Sequence, residues 1–269
     1  MDEIEVFYGA RITSDLCLHL PDERTIVVAD LHLGYESALE AEGIHIPRVQ
    51  TKTVKEALVR LIERHEAERV VLLGDVKHEF SRNLGQEVRD VRSVLDSISE
   101  MVDIVIVKGN HDNFIENIVS RIQIPVVDRY SLGGITFVHG HQPCDSRPLV
   151  IGHEHPSVKI VDRVGAYIKL PCHMFLRDEK VLVLPAFSPL ASGTDITGVP
   201  SSDYLSPILS NVDINNGEVF ACSDIGISPI SSRNRVPWCA TLKSPARLRA
   251  APVKAPRTCP NRVDSSSVS

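Results

Sequence analysis

The stretch Val107-Lys108-Gly109-Asn110-His111-Asp112 sets an amide, an imidazole and a carboxylate in consecutive positions behind an apolar run. An amide oxygen is a poor nucleophile but a serviceable ligand for a divalent cation. The imidazole beside it can move a proton, and a neighbouring carboxylate can hold its tautomer. Four other places put metal-type residues behind apolar runs: Asp30-Leu31-His32, Gly74-Asp75, His139-Gly140-His141 and Gly152-His153-Glu154-His155. Because Leu31 would point away from its neighbours in an extended segment, Asp30 and His32 are expected on one side. One aspartate after a strand is usually a cap or turn residue, and one histidine there is usually solvated. Asp30, His32, Asp75, Asn110, His111, His139, His153 and His155, spread over five strand ends with glycine beside four of the groups, form a collective signal.

The elements that must carry these residues follow from periodicity. Thr25-Ile26-Val27-Val28-Ala29, Arg69-Val70-Val71-Leu72-Leu73 and Asp103-Ile104-Val105-Ile106-Val107 are solid apolar runs and predict buried strands. Between them Val54, Leu58, Leu61 and Ile62 make one stripe, and Val88, Val91, Leu95 and Ile98 make another, predicting two amphipathic helices. Strand–helix–strand–helix–strand implies a parallel sheet, and ligands gather beyond the carboxyl ends of such strands. Residues 4–20 alternate and predict two earlier strands. In the second half, residues 126–130 and 135–138 predict a hairpin across Gly133-Gly134, residues 149–151 a short strand, and residues 166–176 and 180–184 another hairpin. A second, more antiparallel sheet packed on the first would account for the change of pattern.

Mixed carboxylate, imidazole and amide donors suit manganese, iron, zinc or nickel better than magnesium or calcium, which prefer oxygen alone. Seven candidate ligands, Asp30, His32, Asp75, Asn110, His139, His153 and His155, are too many for one ion. They suit two divalent ions sharing a carboxylate, an arrangement that activates a water and clamps a phosphoryl oxygen. Manganese is the first expectation.

Taken in order, Asp30-x-His32, Gly74-Asp75, Gly109-Asn110-His111-Asp112, His139 and Gly152-His153-x-His155 resemble the five blocks of the calcineurin-like metallophosphoesterases, over about residues 25–156. The segments Gly74-Asp75-Val76-Lys77-His78-Glu79-Phe80 and Leu184-Pro185-Ala186-Phe187-Ser188-Pro189-Leu190 are similar to archaeal phosphoesterases related to the SbcD nuclease and to bacterial phosphoesterases associated with DNA ligase. The resemblance implies an α/β fold, a four-layer α/β/β/α sandwich of two mixed β-sheets flanked by helices. It implies that Asp30, His32 and His155 hold one metal and Asn110, His139 and His153 the other, with Asp75 bridging. His111 would then lie beside the phosphate as the catalytic group, with Asp112 as its orienter. Where many relatives carry Asp-Arg or Asn after Gly-Asp, this chain has Lys77-His78. His78 and His141 are therefore candidates for substrate contact, or for hydrogen bonding behind the ligands.

The implied activity is phosphoester hydrolysis, phosphodiesters foremost, with DNA or RNA ends favoured as substrate and a cyclic nucleotide or a small phosphomonoester as alternatives. A catalytically weak interaction scaffold of the same fold is the rival from another class, and the presence of His111 weighs against it. Lys108 could meet a phosphate, although a surface lysine at a strand end is commoner. His45, His65 and His173 lie off the constellation and are expected to be structural.

Composition sets the remaining bounds. A chain of 269 residues with 43% hydrophobic and 24% charged content can bury a full core. Its net charge of -6 gives no global attraction for nucleic acid or acidic membranes, so any polyanion would need a local basic patch. Six cysteines without a CxxC pair, an acidic start unlike a signal peptide and no long apolar run together lead to the expectation of a cytoplasmic protein without membrane contact. Residues 231–269 carry eight Lys or Arg against Asp264 alone, with prolines throughout. They read as a disordered basic tail following a metallophosphoesterase domain over residues 1–230, in preference to a nucleic-acid-binding arm.

Overall fold

The structure, a computed structural model, describes residues 3–81, 84–161, 165–196, 203–212, 216–224 and 226–230. The basic tail expected over residues 231–269 lies outside the described residues. The first sheet runs, in spatial order, β1 (Glu3–Phe7), β2 (Ala10–Thr13), β3 (Leu18–Leu20), β4 (Thr25–Ala29), β5 (Arg69–Leu73), β6 (Asp103–Val107) and β7 (Val126–Val127). Strands β1 to β4 are antiparallel and β4 to β7 parallel. Crossovers between the parallel strands carry α1 (Tyr35–Ala41), α2 (Gln50–Arg64), α3 (Gly85–Ser99) and α4 (Ile115–Val119).

The central strands are apolar throughout because both of their faces are covered. Ile26, Val28, Val70, Leu72, Ile104 and Ile106 pack with Val54, Leu58, Leu61, Val91 and Leu95 of α2 and α3. Val27, Ala29, Val71, Leu73, Val105 and Val107 turn the other way, toward Val150, Phe175, Leu182 and Leu184 of the second sheet. Each buried Val, Ile or Leu contributes about 1.5–3 kcal/mol, so this double-sided core dominates local propensity. The start of α2 illustrates this. It has no capping side chain of its own, and the buried Glu36 accepts instead from the N–H groups of Val49 (2.6 Å) and Gln50 (2.8 Å).

The second sheet comprises β8 (Tyr130–Leu132), β9 (Ile135–Phe137), β10 (Leu149–Ile151), β11 (Pro156–Val161), β12 (Tyr167–Leu176), β13 (Val181–Val183) and β14 (Thr194–Asp195), joined by β15 (Glu218–Ser223) and β16 (Gly226–Ile230). It is mixed: β9, β10 and β13 are parallel at its centre, while the β8–β9, β12–β13 and β12–β15 pairs are antiparallel. Its outer face is covered by Tyr204, Ile208 and Leu209, packed on Leu149, Ile151, Met174 and Val181. Among the described residues this fourth layer is thin and includes the 3-10 turn Leu209–Asn211.

Residues 4–20 form three strands, because the chain reverses at Tyr8-Gly9 as well as after Thr13. The hairpin expected from residue 126 starts only at Tyr130. Val126 and Val127 instead extend the first sheet beside β6, and the chain changes sheets at Asp128-Arg129. No helix among the described residues is long and apolar enough to cross a membrane.

His173, on β12, is fully buried, and its Nε2–H donates to the Thr13 carbonyl oxygen (3.0 Å). Burial holds this imidazole down to a pKa of about 4. In the unfolded chain it would titrate near 6.5, so below that pH the unfolded state gains a proton that the fold refuses. The contribution of His173 is complete above pH 6.5 and is lost as pH falls toward 4, by on the order of 3 kcal/mol. Denaturant titrations at pH 7 and pH 4 should therefore show a smaller acid-induced loss for His173→Gln than for the wild type. Equal losses would show that this side chain does not govern acid stability.

Candidate metal centre

Both sheets send residues to one rim. Asp30 and His32 follow β4, Asp75 follows β5, Asn110 and His111 follow β6, His139 lies two residues past β9, and His153 and His155 follow β10. Asp30 (φ 55°), His32 (46°), Asp75 (48°), His153 (68°) and His155 (48°) all have left-handed backbones. Asp30 and His32 therefore do converge, but through two left-handed turns and not through strand alternation. Such conformations cost about 1–3 kcal/mol each and persist only where the surroundings hold them. Here the chain after β4 stays bonded to the chain after β5, with Asp30 N–H to Gly74 O (3.1 Å), His32 N–H to Asp75 O (2.8 Å) and Leu33 N–H to Val76 O (2.9 Å).

Two donor sets result. Asp30, His32 and His155 each bring one donor atom within 4.8 Å of the others, and so do Asp75, His139 and His153. In the first set His155 Nε2 lies 3.3 Å from Asp30 Oδ1 and 3.2 Å from His32 Nε2. In the second, Asn110 Oδ1 sits 3.0 Å from His139 Nε2, and Asp75 Oδ2 lies 3.4 Å from the same nitrogen. Asp75 Oδ2 is also 3.9 Å from His32 Nε2, so one carboxylate faces both sets. The Leu73 carbonyl oxygen accepts a hydrogen bond from His139 Nδ1–H (3.3 Å), which leaves Nε2 toward the cage.

The electrostatics call for positive charge at the centre. Burial works against ionising Asp30 and Asp75, yet His155 lowers the first and His139 holds the second well below the usual carboxylate range. Burial likewise pulls His139 down, but its hydrogen bond to Asp75 and the charge of Asp30 lift it to about 9. Burial dominates at His32 and His153, both held at about 4 and so neutral. Asp30 Oδ1 is buried with no hydrogen-bond partner. Ionised carboxylates, neutral imidazoles, an amide oxygen and an orphaned carboxylate oxygen fit divalent cations of the transition series.

His111 stands beside this cage, partly exposed, with its N–H on Asp75 Oδ1 (2.8 Å). Its Nδ1 donates to the His78 carbonyl, an acceptor only, and its Nε2 lies 3.9 Å from Asp75 Oδ2. Asp112 does not contact the ring as expected. Its buried carboxylate accepts from the N–H groups of Gly109 (2.8 Å), Val76 (2.9 Å) and Lys77 (3.3 Å), tying the turns after β5 and β6 together. Burial, and then the charge of Asp75, push its carboxyl up to about 6. Lys108 pairs with Glu116 (2.7 Å), and His45 is exposed near Glu40, so neither joins the cage. His141 lies next to it, its ring 5.2 Å from that of His139, with Nδ1 buried and unpartnered.

Several supporting residues carry no sequence signal, because burial of a polar side chain is settled by tertiary packing. Gln50 Nε2 donates to His32 O (2.9 Å) and Ser188 Oγ (3.0 Å), and Glu87 accepts from the N–H groups of His78 (3.0 Å) and Glu79 (2.7 Å). A cleft of about 290 Å³ opens over His32, His78, His111, His155 and residues 191–194. Tyr35 stacks on His78 at its mouth (3.9 Å), and Phe80, 58% exposed, sets its ring edge-on to His111 at 6.0 Å.

Two mixed sheets with a carboxylate–imidazole cage at their common rim define a metal-dependent hydrolase. The family model described as calcineurin-like phosphoesterase matches residues 23–213, and the chain belongs to that family, a metal-dependent phosphoesterase. No curated protein matches the chain. Among solved structures, the nuclease MPE of Pseudomonas putida is similar at 25% identity and a TM-score of 0.61, covering 85% of this chain and 99% of that one. YfcE, a phosphoesterase from E. coli, aligns at 17% identity and a TM-score of 0.36, covering 78% of this chain and 93% of that one.

A Cβ at Gly109 would land on Asp75 Oδ1 and its backbone nitrogen. Gly109→Ala should therefore displace Asp75 and weaken Mn²⁺ binding about 10–100-fold, as for other disturbances behind metal ligands. Isothermal titration of the folded variant tests this, and unchanged affinity would show that the turn does not set the carboxylate.

Proposed function

We propose that the protein is a dinuclear metal-dependent phosphodiesterase acting on nucleic acid with unpaired bases. The observation that carries this reading is the position of Asp75, whose carboxylate faces two separate donor sets while His111 stands on their open side. Asp30, His32 and His155 would hold one ion and Asn110, His139 and His153 the other, with Asp75 shared. When bound, such a pair supplies Lewis acidity toward a phosphoryl oxygen and lowers the pKa of a water toward neutrality. Manganese, iron, zinc and nickel all suit these donors, and manganese is the ion we favour.

The chain's own groups supply the rest. His111, its Nδ1–H fixed on the His78 carbonyl, presents Nε2 to the cleft. Protonated there, it donates to the leaving oxygen or to a non-bridging oxygen of the phosphoryl group. Asp112 keeps His111 in place through the backbone it binds, as a positioning residue. Tyr35 in the cleft lining and the exposed Phe80 ring beside His111 favour a substrate with accessible base faces, since every base can stack on an aromatic side chain. A nuclease among the similar solved structures supports nucleic acid as the substrate class.

A Mn²⁺-supplemented panel of single- and double-stranded DNA, RNA, cyclic dinucleotides, and chromogenic mono- and diesters tests the proposal. Cleavage of single-stranded DNA or RNA above the other substrates is expected, and activity confined to monoesters would overturn it. His111→Ala should slow diester hydrolysis by roughly 10²–10⁴-fold with the metal content unchanged. Should that variant lose an ion instead, His111 is a ligand. Phe80→Ala should raise KM for a single-stranded oligonucleotide by roughly 5–100-fold, the worth of one base–aromatic stack. Its turnover of a chromogenic diester should be unaffected, and parallel losses on both substrates would rule out base stacking.

A further inference from the structure

A second cluster of potential ligands lies toward the β1 edge of the first sheet, apart from the cage. Glu3 begins β1, His19 lies in β3 beside Ile26 near the start of β4, and His65 directly follows α2. The three side chains come from three elements and bring one donor atom each within 4.8 Å of the others. Glu3 Oε1 is 3.5 Å from His65 Nδ1 and 3.7 Å from His19 Nδ1, and the two rings lie 4.3 Å apart at 46°. The His65 side chain is 3% exposed and that of His19 12%.

These spacings are too long for N–H···O hydrogen bonds, which fall at about 2.7–3.2 Å. They match the edge of a coordination tetrahedron, since ligand bonds of about 2.0–2.1 Å put ligand atoms about 3.4 Å apart. His19 Nδ1, the nitrogen that faces Glu3, is buried without a hydrogen-bond partner. Such an orphan costs the fold unless something else satisfies it. Glu3 Oε2 is turned to Arg11 at 3.4 Å, which leaves Oε1 as the oxygen facing both rings. Burial lowers the pKa of both histidines, keeping them in the neutral form that binds metal.

We propose that Glu3, His19 and His65 form a separate site for one divalent transition-metal ion. Zinc is the ion that two imidazoles and one carboxylate fit best, with the fourth position open to water or an exogenous donor. The site would pin the edge strand β1 to the end of α2. Nothing in it depends on the reading of the catalytic cage, which lies beyond the other ends of β4, β5 and β6.

The test uses the full chain equilibrated by dialysis against excess Zn²⁺, with bound zinc measured by elemental analysis. Wild type is compared with Glu3→Ala, a partly exposed position whose replacement spares the core, and with the double variant His19→Gln/His65→Gln. Manganese-supported turnover of a chromogenic diester is read in parallel. Loss of one zinc equivalent from either variant, with turnover retained, is the expected result. Zinc content equal to the wild type in both would overturn the site. A fall in zinc accompanied by loss of turnover would also overturn it, because the missing ions would then be those of the cage.

Discussion

Everything at the rim follows from having two carboxylates, Asp30 and Asp75, buried and ionised within one small volume. Two like charges out of water are unfavourable unless opposite charge and hydrogen-bond donors face them. The chain meets this with backbone N–H groups, His153 to Asp30 Oδ2 (3.0 Å) and His111 to Asp75 Oδ1 (2.8 Å), and with imidazoles on the remaining sides. Burial pulls His139 and His155 down, yet the two carboxylates lift both, His139 to about 9. A cage of this kind is selective for cations whatever its precise occupancy, and it shapes the chemistry available to any phosphoester resting on its open side.

The carboxylates could not be so placed by regular strands. Left-handed residues at Asp30, His32, Asp75, His153 and His155 halt the strands abruptly and turn side chains inward over the rim. Asp and His tolerate this conformation better than β-branched residues do, so residue types chosen for ligation are also those that accept the backbone. Gly74, itself at φ 81°, lets His139 lie against it, where any side chain would collide with the ring.

Much of this was legible in the sequence. The solid apolar runs became β4, β5 and β6, and the stripes became α2 and α3, because burial on two faces or on one leaves a strong pattern. The eight polar residues behind the runs do meet at one rim. What could not be read depends on distant partners. Two-residue β7 has no periodicity, and only its pairing with β6 assigns it to the first sheet. Short α1 is invisible because Glu36, its buried acid, looks like a surface residue until its partners Val49 and Gln50 are known. Asp112 adjoins His111 in sequence, yet the intervening turn sends its carboxylate to the backbone. Glu3, His19 and His65 are far apart in the chain and follow no motif.

The change of sheets at Asp128-Arg129 carries a consequence of its own. Asp30, Asp75 and Asn110 project from the first sheet, whereas His139, His153 and His155 project from the second. The cage thus straddles the seam between the layers, which the chain crosses after β7 in two residues. A cation held by both groups of donors would act as a rivet between two slabs, and a chelator would then loosen the joint as well as empty the cage. Mechanical integrity and metal binding would share the same few atoms.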